Sequence, residues 1–409
     1  MKLFKREKYL KKIRSFYNSD DIIKVITGVR RCGKSSLMQT IADELIENGV
    51  SKDNIIYIDL DKRGYRKINN ADQLEVLIEN QIKAEGLKYL FIDEIQNVTG
   101  FEEVLNGFRT EGNISIFITG SNSYLLSGEL VTKLTGRYLE FELFTLSFDE
   151  YINIKKFYKK EINSNLIIEL NNYILEGGFP RTIQIEDLSA KRLYVENVVK
   201  EIFQKDIKKR TKIKDLASFE RVRDYIINNF GSTTSISSLC EALHKNGIII
   251  SRLTLSKYIQ VLVDAKILYE CNRFDIKSKR SLSGDKKYYL SDLGFYYAIN
   301  TDNRINYGPN LENIVYIYSR SLGYSISVGR FGKLECDFIL RNNEMDYFYV
   351  QVAYTIALSK ETEDREYRAL ETIKDNYAKY VMTTDYLLQK RNGIKHVNIM
   401  DFMSKSLLF

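Results

Sequence analysis

The sequence predicts an α/β chain whose first part is a parallel sheet covered by helices on both faces. Two observations carry this. Short apolar, β-branched runs alternate with amphipathic stretches from Ile22 to Phe144, the pattern of strands joined by helical crossovers. The first run, "IIKVIT", passes through a glycine-bounded turn straight into the first long helix. Taken in order, the expected elements are strand 22–27, helix 34–48, strand 54–60, helix 71–84, strand 88–93, helix 101–111, strand 114–119 and strand 138–144.

The bulk properties bound the rest. At 409 residues the chain is too long for one ordinary core. With 44% apolar and 28% charged residues it is globular material rather than a disordered chain. No apolar run approaches the length of a membrane span, and the basic N-terminus lacks the apolar core of a secretory signal. Cys32, Cys240, Cys271 and Cys336 are scattered and form no C-x-x-C pair, which argues for free thiols, a reducing cytoplasm and no structural zinc. The net charge is +7, concentrated in two stretches. Lys205–Lys214 holds six basic residues and one acid, and Arg273–Lys287 holds six basic and two acidic. Such clusters suit a polyanion or a solvated face.

The first turn, "ITGVRRCGKSSL", contains G-x-x-x-x-G-K-S. Glycines at 28 and 33 let the backbone fold back with its N–H groups inward, and the following helix points its N-terminus at the same place. Lys34 can reach β- and γ-phosphates, and the Ser35 hydroxyl can ligate Mg2+. Gly28, Cys32, Gly33, Lys34, Ser35 and Ser36 are therefore the expected contacts to ATP. Cys32 is either a tolerated variable position or a thiol whose alkylation would block nucleotide. Hydrolysis needs further groups. The run "YLFI" ends in Asp93-Glu94, on a strand expected beside the P-loop strand; Asp93 is assigned to Mg2+ and Glu94 to polarising the attacking water. The run "ISIFIT" leads to Ser121 and Asn122, of which Asn122 is a candidate holder of the lytic water. Arg137, just before the next strand, is a candidate for neutralising charge on the γ-phosphate.

These residues resemble the AAA/STAND-like P-loop ATPases of archaea and bacteria that carry a C-terminal nuclease-like domain of unknown function. The resemblance runs almost end to end, through "FIDEIQ", "ITGSNS", "TGRY…LSFDEY", "GGFP", "KYYLSDLG", "LEN", "ECDFIL" and "YVQVAYT". It implies a P-loop NTPase parallel sheet (residues 1–150), a helical lid (151–215), a winged helix (216–300) and a restriction-endonuclease-like α/β domain (305–409). It also implies that Gly178 and Pro180 of "GGFPRT" lie over the adenine and that Arg181 senses phosphate.

The middle segment reads as three helices followed by two strands around a basic loop, the composition of a winged helix. Its third helix would expose Arg252, Ser256, Lys257 and Gln260, and its wing Lys277, Lys279, Arg280, Lys286 and Lys287. Arg252, Lys257, Lys279 and Arg280 are the candidate DNA contacts; the alternative is a spacer that touches no nucleic acid. In the C-terminal third, Glu312 on a helix and Asp337 on a strand match two acids of a restriction-type nuclease. The E-x-K that should follow reads Gln351-Val352-Ala353, so one metal ligand and the lysine are missing, and Lys360 lies beyond the strand. The expectation is a weak cation site at most, with two carboxylates repelling each other, and no cleavage. The function that fits is a Mg2+-dependent ATPase whose nucleotide state positions C-terminal domains on DNA. A nucleotide-switched signalling or defence scaffold that binds proteins, and an ATP-gated nuclease, are the alternatives; an oligomer fits each of them.

Overall fold

The computed structural model describes residues 3–83, 85–120, 134–208, 213–300, 304–344 and 346–404. The chain divides into two compact units, Met1–Leu143 and Phe144–Phe409.

In the first unit, buried apolar runs become β1 (Ile23–Thr27), β2 (Ile55–Asp59), β3 (Lys88–Asp93), β4 (Ile114–Thr119) and β5 (Tyr138–Glu142). They form one parallel sheet in the order β2-β3-β4-β1-β5. All five residues of β1 and all six of β4 are buried, as expected of inner strands covered on both faces. The helices Lys34–Glu47, Ala71–Glu79 and Phe101–Glu111 supply the crossovers. The second begins where the Asn70 side chain accepts the Gln73 N–H at 3.0 Å. One expectation is corrected. β3 does not lie beside the P-loop strand, because β4 is inserted between β1 and β3.

The second unit opens with the helices Phe148–Phe157, Leu166–Glu176 and Leu188–Glu201. Three more follow, Leu216–Asn228, Ile236–Lys245 and Arg252–Asp264, each started by a side-chain cap, from Asp215, Ser235 and Ser251 respectively. A hairpin comes next, β6 (Leu268–Asp275) and β7 (Arg280–Leu290). Thr234, between the first two helices of this trio, pairs with Lys286 of β7 through two backbone bonds of 2.8 Å. Beyond the helices Gly294–Ile299 and Tyr307–Leu322 lie β8 (Ser325–Phe331), β9 (Leu334–Arg341) and β10 (Tyr347–Val352). The helix Lys360–Thr372 leads to β11 (Ala378–Thr383), β12 (Lys390–Arg391) and β13 (Ile394–Asn398), and the helix Ile399–Ser404 follows. All eight strands join one mixed sheet, β12-β13-β11-β10-β9-β8-β6-β7. The joint is a parallel pairing of Arg273–Asp275 with Val328–Arg330. The segments 216–300 and 305–409 thus share a sheet.

Candidate functional site

In a parallel sheet every strand ends on the same edge, and that edge is where α/β folds place their chemistry. Here it carries Gly28 after β1, Asp59 at the end of β2, Asp93 at the end of β3 and Thr119 at the end of β4. Thr119, on the inserted strand, joins the pieces. Its hydroxyl donates to Asp93 Oδ1 and accepts the Glu94 N–H at 3.0 Å. Two strand spacings separate β3 from β1, about 10 Å, room for a phosphate between the P-loop and Asp93. The sequence signal for Thr119 is a polar end to an apolar strand; the expected Ser121 and Asn122 lie outside the described residues. Asp59, aligned with Asp93 across the β2–β3 pair, is a second acid on this edge that the motifs do not single out.

The loop explains its own residues. A Cβ on Gly28 would stand 2.1 Å from the Leu143 carbonyl oxygen, and its φ is +143°. Gly33 precedes the helix in the left-handed region at φ 110°. The buried Lys34 ammonium donates to the Gly28 and Val29 carbonyls at 2.9 and 3.2 Å. Ser35 and Ser36 are exposed at the helix N-terminus. Cys32 is fully buried, its Sγ donating to Leu143 O at 3.3 Å, and burial pushes the thiol up from its ordinary value. A thiol so placed is a poor nucleophile, which argues against the reactive reading of Cys32, and its burial gives it a packing role that the sequence did not show.

Glu94 sits in the left-handed region at φ 57°. It is not a bare carboxylate. Arg30 of the P-loop lies 3.7 Å from Oε2, and the Gln96 amide donates to the same oxygen. Arg137 is elsewhere. Its carbonyl accepts the Ile23 N–H at the start of β1, and Nη1 donates to Asn106 Oδ1 at 3.1 Å. Five strand residues, about 17 Å, separate that edge from the P-loop edge. Arg137 therefore does not reach the P-loop of its own unit, which corrects a role on the same copy's γ-phosphate.

In the second unit, "GGFP" meets "SDLG". The buried Asp292 carboxylate accepts the N–H groups of Gly178 and Gly294, each at 2.8 Å. A Cβ on Gly177 would come within 2.1 Å of Asp292, and one on Gly178 within 2.4 Å of the Leu146 carbonyl oxygen. Desolvation pushes Asp292 up to about 6. Both glycines therefore have a packing reason within this unit. Pro180 and Arg181 open the short helix Pro180–Gln184, where Arg181 Nη1 donates to Gln184.

Glu312 and Asp337 are not left to repel each other, which corrects the expectation of a repelling pair. Lys287, from β7, lies 3.0 Å from Glu312 Oε2 and 3.0 Å from Glu335 Oε1, and Tyr289 donates to Glu312 at 3.0 Å. Asp337 accepts the Val352 N–H at 2.8 Å. Burial, with the charge on Glu312 adding, pushes Asp337 well above the usual carboxylate range, while Lys287 pulls the other way. Gln351 keeps its place on β10 but bridges inward, donating to Glu366 at 3.1 Å. Lys360 is exposed and pairs with Glu363 and Asp364 on its own helix. Among the described residues no group of three His, Cys, Asp or Glu is placed to hold a metal ion. Lys287 also leaves the expected wing set, being buried, and Lys286 pairs with Glu270. On the third helix of the trio, Arg252, Ser256, Lys257 and Gln260 are exposed.

Comparison with known proteins agrees with the first unit. Residues 20–152 match the model of an AAA domain, and residues 167–304 match a domain of unknown function, DUF8612. An uncharacterized protein of Haemophilus influenzae is 34% identical over 404 residues, 98% of each chain. One of Methanocaldococcus jannaschii is 32% identical over 366 residues, 86% of this chain and 79% of that one. A Walker-type ATPase of Pyrococcus abyssi aligns with a TM-score of 0.50 at 15% identity, covering 72% of this chain and 95% of its own, and so shares the fold. No helix among the described residues is long and apolar enough to cross a membrane. The chain belongs to the family of these Haemophilus and Methanocaldococcus proteins, and its first unit is an AAA domain with the P-loop ATPase fold.

Proposed function

We propose that the chain is a Mg2+-dependent ATP hydrolase whose nucleotide state governs the engagement of DNA by its second unit. One observation carries the hydrolase reading: the P-loop, Asp93 and Glu94 stand on one sheet edge, with Thr119 of the inserted strand tying the two acids together. The residues present fit the ligand. Lys34 is a buried ammonium that donates to loop carbonyls, Gly28 leaves no room for a side chain, and the Ser35 hydroxyl is exposed at a helix N-terminus. Lys34 would exchange those carbonyls for phosphate oxygens, with the backbone from Gly28 through Cys32 and Gly33 to Ser36 cradling the chain of phosphates. Ser35 and Asp93 would hold Mg2+, which supplies charge neutralisation at the phosphate oxygens. Glu94 would orient water and take its proton once Arg30 turns from the carboxylate. Arg137 enters only through a second copy of the chain.

The test is phosphate release from ATP by the full chain. Lys34→Ala should lose nucleotide binding while keeping the wild-type melting temperature. Glu94→Gln should keep binding and slow turnover by two or more orders of magnitude, about 3 kcal/mol in barrier. Turnover by the Gln variant at the wild-type rate removes Glu94 from the reaction. The DNA half of the proposal rests on the exposed Arg252 and Lys257 beside the hairpin, and is tested by duplex binding with and without ATP.

A further inference from the structure

We infer that the paired tips of the hairpins β6–β7 and β8–β9 form a binding surface for the phosphate backbone of nucleic acid, made by Lys277, Lys279, Arg280, Arg330 and Lys333. This deepens the DNA reading above and rests on it, but moves the electrostatic contact away from the helix Arg252–Asp264.

The topology brings the five cations together. β6 and β8 pair in parallel, so the turn that follows each lies at the same end of the sheet. The order β9-β8-β6-β7 makes the two hairpins neighbours, and three strand spacings give a front about 14 Å wide. In the register, Asp275 faces Arg280 on one side and Arg330 on the other. Lys277 and Lys279 occupy the first turn and Lys333 the second. Four of the five are exposed and Arg330 is half-buried.

The same hairpin shows that this charge is selective. Along its strands the cations are neutralised: Arg273 by Asp285 at 2.8 Å, Lys286 by Glu270, and Lys287 by Glu312 and Glu335. At the tips they are not. From Asp275 to Arg280 and from Arg330 to Leu334 the sequence holds five basic residues and one acid. That acid, Asp275, accepts the Ser278 N–H at 2.7 Å, and this turn bond is the first cause of its lowered pKa. Arg330 Nε donates to the Gly332 carbonyl at 2.9 Å. Among the described residues no carboxylate lies within 4.0 Å of a tip cation as an ion pair.

The occupant follows from what is missing. No large apolar side chain described at the tips is exposed; the described exposed ones nearest in sequence are Leu253 and Tyr354. A protein partner needs an apolar anchor, and a membrane-bound segment needs an inserting face. A nucleic-acid backbone needs only cations set along a line, and it offers one charge per about 3.4 Å of axis on each strand.

The experiment measures fluorescence anisotropy of labelled duplex and single-stranded DNA with the full chain, from 50 to 300 mM salt (~14 to 6 Å Debye length). The variant carries Lys277→Gln, Lys279→Gln, Arg280→Gln, Arg330→Gln and Lys333→Gln. A milder one carries only the three lysine changes and leaves the Arg330 backbone bond intact. Loss of contacts should lower the slope of log affinity against log salt by about 2 to 4 and the low-salt affinity by 100-fold or more, in the milder variant by about 2 and 10-fold. An Arg252→Ala/Lys257→Ala variant runs beside them. If wild type binds and both hairpin variants bind with its slope, the inference falls while the DNA reading survives. If wild type binds neither DNA at 50 mM salt, both fall. Wild-type binding to anionic vesicles but to no DNA overturns the inference in favour of a lipid surface.

Discussion

Lys24 is a cation in the middle of the sheet. It is wholly buried on β1, donating to Ser19 O at 2.5 Å, Ile22 O at 3.0 Å and Ser115 Oγ at 2.8 Å, with Phe117 beneath it. Desolvation pulls it down to about 7 from an ordinary value of 10.5. Between those values the unfolded chain binds the extra proton, so stability from this group is full above 10.5 and is lost as pH falls through about 7. Lys24→Met removes the titration. Denaturant titrations should find its stability relative to wild type falling steadily from pH 7 to pH 10; a flat difference would mean that Lys24 titrates normally. Lys287 is the opposite case, a buried cation with two carboxylates on it: burial pulls its pKa down, but Glu312, Asp337 and Glu335 together raise it above the ordinary value. Lys287→Ala strands those acids and should cost about 3–5 kcal/mol, as breaking buried pairs does. Adding Glu312→Gln to it should recover part of the loss, measured in the same titrations. These two lysines also mark what a sequence hides. Lys287 read as a wing cation because its neighbours are basic; Glu312 and Glu335, which bury it, lie 25 and 48 positions further on, and only the sheet brings them to it.

Elements that the chain builds from nearby residues were legible, and those that depend on pairing were not. β1, β3 and β4 fall within one residue of their expected bounds, because inner parallel strands read as near-continuous apolar runs even with Lys24 and Ser115 among them. The expected helix 71–84 stops at Glu79: Asn80 caps it, and the Gln81 and Ile82 N–H groups turn to the Ile78 and Glu79 carbonyls, although Ile82 keeps the apolar spacing of Leu74 and Ile78. The insertion of β4 between β1 and β3 has no sequence signature, since chain order does not state strand order. That insertion is why Thr119 escapes a sequence reading, since its role depends on which strand stands beside Asp93; Arg137 falls on the far edge for a different reason, that it precedes a strand running parallel to β1. The loop element makes its own prediction. Gly28→Ala places a methyl against the Leu143 carbonyl at a φ that side chains avoid. Nucleotide affinity should fall at least 10-fold, and a melting temperature within a degree or two of wild type would locate the damage in the loop. Wild-type affinity would mean that the chain just after β5 yields at Leu143.

At the scale of the molecule, each unit answers to a different kind of charge. The P-loop unit sets acids around a gap, and the second unit has closed a comparable group of acids around a side chain. A metal ion can be withdrawn by whatever binds it more tightly; an ammonium on a peptide chain cannot. EDTA should therefore act as a selective reagent on one polypeptide. It should stop ATP turnover, yet leave the denaturation of the Lys287→Ala variant as far below wild type as it was without chelator, because that gap reports a tethered cation. Added Mg2+ should not close the gap by standing in for the missing lysine. If it does, the carboxylates still remember an ion, and the lysine is a plug in a metal site rather than its permanent replacement.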